Sequence, residues 1–188
     1  PRYIYTFEKW GSHFSKIDLI EKRVDSGAGY SPNLRFFGHA AIPTENKYVF
    51  ATAMNDQSGL GTLLVIEKNS LKIKTEFATG GAYPHDCQWE EASNSIIVLN
   101  SRARAAKTYL EKSGERPLSE SSSLAWIDIA SGKIKKKIQL KNQYGGYAHF
   151  SNLGNGRFVL NGSFDDRGGR SRPLLALLEG EGKVIDRL

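Results

Sequence analysis

The sequence predicts an all-β protein: a β-propeller of about three and a half four-stranded blades out of a seven-bladed ring. Three observations predict it. One strand–turn–strand phrase recurs four times, a second phrase that opens on histidine recurs three times, and no long apolar pattern of helical period appears.

The first phrase is an alternating apolar strand, an acidic residue, a short turn and a more basic strand. Its copies begin at Phe14, Leu63, Leu124 and Leu174. Their acidic members, Asp18, Glu67, Asp128 and Glu179, are about 50 to 60 residues apart, the period of a four-stranded blade with modest loops. The turns at Asn69–Ser70, Ser131–Gly132 and Gly180–Glu181–Gly182 suit hairpins between antiparallel strands. The second phrase precedes three of these copies. It starts at His39, His85 and His149 and turns at Glu45–Asn46, Ser93–Asn94 and Gly154–Asn155–Gly156.

Joined, the phrases divide the chain in order. Residues 2–25 supply the later strands of one blade, and 38–79, 84–140 and 147–188 form three more, all within one partial propeller domain, 1–188. Such an arc leaves open strand edges, which invite unwanted pairing. The remaining blades are therefore expected from the rest of a longer parent chain or from a second copy.

Composition narrows the function. The formal net charge is +6, but the basic residues are dispersed. Lys133, Lys135, Lys136 and Lys137 alternate in part with Ile134 and Ile138 on an expected edge strand, where lysine discourages pairing. Nucleic acid is not expected as a partner. No apolar run reaches the roughly 20 residues of a spanning helix, so no membrane span is expected. The single cysteine, Cys87, excludes an internal disulfide and a cysteine-based zinc cluster.

In a propeller the first strand of each blade lines the central channel. His39, His85 and His149 open equivalent phrases, so their side chains can converge near the axis. Imidazole is a common ligand for Zn, Cu and Fe and is also suited to proton transfer. Asp86 and Cys87 extend this metal-ligand set, with Cys87 expected on the strand face of His85 by two-residue alternation. The alternative is that the histidines cap strands and that Cys87 is a small buried hydrophobe. His13 lies outside the pattern and reads as a surface residue. The long loop 101–123 carries Arg102, Arg104, Tyr109 and Arg116 and is a candidate anion-binding loop. No GxSxG, HExxH or CxxC is present.

Phe36–Phe37–Gly38–His39, Asn55–Asp56 with Gly59 and Gly61, Gly80–Gly81 with Pro84–His85, Ser123–Leu124, the His149 position and Pro173–Leu174–Leu175 resemble a domain-of-unknown-function family of exported bacterial propellers. These propellers are akin to quinoprotein amine dehydrogenase-like and YVTN-like proteins. The resemblance implies twin-arginine export, a periplasmic location, a parent about twice this length and genes beside imelysin-type iron-acquisition components. This chain departs from the family pattern at Met54, at Leu99–Asn100–Ser101–Arg102 and at Ala148.

The leading expectation is a periplasmic binding or accessory protein in iron or other metal acquisition, with Fe or Cu as the ion and metal-uptake proteins as partners. A redox enzyme of quinoprotein-like type, with His85 and Asp86 as an acid–base pair, is the first alternative. No separate nucleophile, cofactor motif or paired carboxylates support it. A protein-interaction scaffold is the second alternative.

Overall fold

In a computed structural model the described residues are 2–29, 31–101, 122–140, 145–165, 171–180 and 183–187. Among the described residues fifteen strands form four sheets, and there is no helix. Strands β1 (Tyr3–Phe7), β2 (His13–Asp18) and β3 (Arg23–Ala28) make a three-stranded sheet. The second sheet holds β4 (Leu34–Ala41), β5 (Tyr48–Asn55), β6 (Leu60–Glu67) and β7 (Ile73–Ala82). The third holds β8 (Pro84–Glu90), β9 (Ser95–Asn100), β10 (Ser123–Asp128) and β11 (Ile134–Gln139). The fourth holds β12 (Gly145–Gly154), β13 (Arg157–Asp165), β14 (Ser171–Glu179) and β15 (Lys183–Arg187).

Every strand pairs antiparallel with its neighbour in sequence, so each sheet is a simple meander. Successive meanders stack face to face, and β8 lies beside both β4 and β12. This is part of a β-propeller, with β4, β8 and β12 as its inner strands. In the first sheet β2 and β3 match β6 and β7 in the repeat, so β1 matches β5, and no inner strand accompanies them among the described residues.

The repeated acidic residue is a hairpin cap. Asp18 Oδ1 accepts from the N–H groups of Ile20 and Glu21, and Asp128 Oδ1 accepts from Ser131 N–H at 2.8 Å. Such carboxylates close a turn with their own side chain. Asp18 is also paired with Arg2, which draws its carboxyl down to about 2. Asp128 pairs with Lys135 on the outer strand β11. The basic residues of β3 and β11 thus sit on exposed outer strands.

Three apolar layers hold the blades together. Phe14, Phe36, Val49, Leu64 and Ile66 fill the first interface. Phe50, Leu63, Val65, Ile96, Val98 and Ile127 fill the second, and Trp126, Leu140, Tyr147, Phe158 and Leu160 are prominent in the third. Alternation sends one set of side chains into each layer, which is why these strands are buried on both faces.

Inner strands belong to different sheets, so their facing edges cannot form a common ladder. Polar side chains of β8 meet the edge of β12 instead. Gln88 Nε2 donates to Phe150 O at 2.6 Å, and Asn152 N–H donates to Gln88 Oε1 at 3.3 Å. Glu90 accepts from Asn152 Nδ2 and from Trp126 Nε1. Replacing Gln88 by Leu strands two backbone groups at this seam. The expected loss is about 2 kcal/mol, read as a lower urea midpoint with an unchanged slope.

Candidate metal centre

Each histidine sits at an irregularity of its inner strand. In β4, Phe36 faces Ala53 and Ala40 faces Ala51, so residues 37–39 share the single position of Thr52. Gly38 there takes φ 89°, and Thr52 Oγ1 donates to His39 O at 3.1 Å. In β8, Pro84 faces Asn100 and Asp86 faces Leu99, which makes His85 the extra residue. In β12, Tyr147 faces Gly162 and His149 faces Asn161, which makes Ala148 the extra residue. A bulge re-aims a side chain that regular pleating would send elsewhere. Here three bulges act at the same level of three blades.

The three rings converge. Their centroids are 5.3 Å apart for His39 and His85, 4.9 Å for His39 and His149, and 4.7 Å for His85 and His149. One ring nitrogen from each lies within 4.8 Å of the others. His85 is buried at 8% exposure, whereas the side chains of His39 and His149 are 32% and 45% exposed.

Asp86 lies between blades. Its carboxylate accepts from Cys87 N–H at 2.8 Å and from Phe150 N–H at 3.1 Å, across the seam to β12. Its Oδ1 lies 3.4 Å from His39 Nδ1, and its Oδ2 lies 3.8 Å from His149 Nδ1. His85 Nδ1 is 2.8 Å from Ala148 O. A carbonyl oxygen can only accept, so neutral His85 carries its proton on Nδ1, and the Asp86 carboxylate faces the same nitrogen of His39 and His149. The lone pair of His85 then falls on Nε2, as in metal-ligating histidines held by an outer carbonyl.

Burial favours the neutral form of His39 and His85. It is the main reason that His39 is held below the usual histidine range, although Asp86 pulls the other way. His85 is pushed down to about 4, first by burial, then by His149, Lys9 and His39, against the carbonyl of Ala148. Phe37 adds an aromatic wall, its ring 6.0 Å from His85, with Trp10 and Tyr83 packed against it.

Cys87 does not share the face of His85, contrary to the alternation expected from the sequence. The extra residue at His85 shifts the pleat. The Cys87 thiol therefore enters the apolar layer of Phe50, Leu63 and Val98, where it donates weakly to Phe50 O and burial pushes its pKa up. Asp86 is brought to the cluster, but as the partner of two Nδ1 atoms rather than as one of the three converging ligands. His13 is exposed and pairs with Glu8. Arg102, Arg104, Tyr109 and Arg116 lie outside the described residues. Lys9, whose charge acts on His39 and His85, went unnoticed in the sequence because its sheet carries no copy of the histidine phrase.

Residues 11–186 match a family described as "Protein of unknown function (DUF1513)". The chain belongs to this family. No curated protein sequence matches it. Among solved structures, U3-55K is similar at 15% identity with a TM-score of 0.57, over 98% of this chain and 50% of that one. The hydrazine synthase of Kuenenia stuttgartiensis is similar at 10% identity with a TM-score of 0.50, over 94% of this chain and 60% of that one. The propeller domain of the trilobed protease of Pyrococcus furiosus aligns at 13% identity with a TM-score of 0.48, over 94% of this chain and 48% of that one. The chain thus spans about half the length of the structures it matches, and the first two likenesses concern the fold alone.

The neutral His85 has a pH signature. Above its ordinary value of about 6.5, folded and unfolded chains are both neutral at this ring. Between there and about 4, only the unfolded chain takes the proton, so stability falls as pH falls. In metal-free protein, His85→Gln should flatten this acid loss by on the order of 2 kcal/mol, measured by urea unfolding from pH 7 to 4.5.

Proposed function

We propose that this DUF1513 member binds one transition-metal ion through His39, His85 and His149 at the inner strands. On this reading it is a periplasmic binding or accessory protein for iron or copper acquisition rather than an enzyme. The observation that carries the reading is the convergence of three imidazoles from three blades, each with an oxygen near Nδ1.

Three imidazole nitrogens suit Cu, Fe, Zn or Ni, and the Irving–Williams order places Cu(II) tightest in vitro. Tetrahedral ligation at about 2.1 Å needs nitrogens about 3.4 Å apart. Ring atoms within 4.8 Å of one another can reach that spacing by rotating inward about 1 Å. The periplasmic location and metal-uptake partners rest on the resemblance to exported propellers, and the remaining blades would complete the ring around the site.

Titration with Cu(II) and Fe(II), with metal content read by elemental analysis, tests the proposal. The expected result is one ion per chain, lost when His39, His85 and His149 are all changed to Ala. Asp86→Asn should retain the site but weaken it about tenfold, because the ring orientations are loosened. Equal binding in the wild type and the triple variant, or none in either, would make the cluster a structural one and remove the metal role.

A further inference from the structure

The first sheet contributes no histidine to the cluster, but it brings a lysine up behind it. Lys9 lies on the loop between β1 and β2, and two backbone hydrogen bonds fasten that loop to β4. Trp10 N–H donates to Phe36 O at 2.9 Å, and Phe36 N–H donates to Gly11 O at 2.8 Å. Trp10 itself takes φ 66°, a left-handed conformation that a bulky residue rarely adopts. Its indole lies against Phe37, ring centroids 5.0 Å apart. The loop is therefore held in a strained shape by specific contacts. The result is that Lys9 backs onto Gly38, the residue before His39: a Cβ on Gly38 would lie 3.8 Å from Lys9 Cβ.

A lysine whose stem packs behind the residue before His39 has its ammonium within reach of the cluster and opposes the binding of a bare cation. Charge counting gives the arrangement a purpose. Neutral imidazoles leave a divalent ion its two positive charges, Asp86 offsets one, and Lys9 restores one. Three protein ligands also leave coordination positions open. An anion that enters such a position meets the ion on one side and can be reached by the exposed side chain of Lys9.

We propose that the centre takes a small oxyanion of the carboxylate or carbonate class as a further ligand, with Lys9 as its counter-charge. This assignment rests on the metal-binding reading above. The ion and the anion are then held together, each at the charge that the other needs.

Co(II) serves as a visible reporter of ligand exchange. The full chain is loaded with Co(II), its metal content is measured, and oxalate, bicarbonate and neutral imidazole are titrated in turn. Oxalate and bicarbonate should each shift the Co(II) bands of the wild type. Lys9→Met should keep one Co(II) per chain yet weaken both anions about fivefold, as expected for one partly screened charge. Lys9→Arg should restore them, and imidazole should bind equally to all three proteins. Loaded protein whose bands ignore both anions, or equal anion affinity in Lys9→Met, overturns the proposal while leaving the metal site standing. Failure to load Co(II) overturns the metal reading and this proposal with it.

Discussion

The inner edges of neighbouring blades face one another without sharing a ladder, and the structure near the channel follows from that constraint. A sheet edge is a row of unpaired donors and acceptors that needs partners or cover. Between β8 and β12 the partners are side chains: His85, Asp86 and Gln88 all reach the backbone of residues 148–152. The same reach that satisfies β12 also fixes the rings. Asp86 can stand between His39 and His149 because Phe150 N–H already anchors it across the seam. Seam and site are one network.

That network also sets the electrostatics. Three imidazoles packed at 4.7–5.3 Å would repel one another if charged, and His85 is buried besides. Burial holds His39 and His85 toward the neutral form, and for His85 the Ala148 carbonyl then determines which nitrogen is left basic. Trp10 and Tyr83, both at positive φ, flank Phe37 behind this cluster. Bulky residues in that conformation persist where surrounding packing over-determines them, and such places concentrate around sites.

Much of the architecture was legible because the chain repeats itself. Asp18, Glu67 and Asp128 mark the end of the third strand position in their blades, and their side chains show why an acidic residue recurs there. The equivalence of His39, His85 and His149 was legible for the same reason. The bulges were not. Only Gly38 announces one, whereas His85 and Ala148 are extra residues with no compositional mark, and a one-residue insertion reverses the face of everything after it. That is why Cys87 was paired with the wrong neighbours. Lys9 was hidden for a different reason: its closeness to His39 is created by the docking of one sheet on the next, and no spacing along the chain records it.

Stacked blades form a quasi-linear array in which each unit is stabilised mainly by its immediate neighbours. A group of ligands drawn from β4, β8 and β12 differs, since a single occupant would span two interfaces at once. Occupancy would stabilise the folded arc by mass action, in proportion to the logarithm of free ion over its dissociation constant. It would also link the opening of one seam to the opening of the next. The histidines would then act as a rivet through three plates: the array would lose its freedom to fray blade by blade while the ion stayed in place.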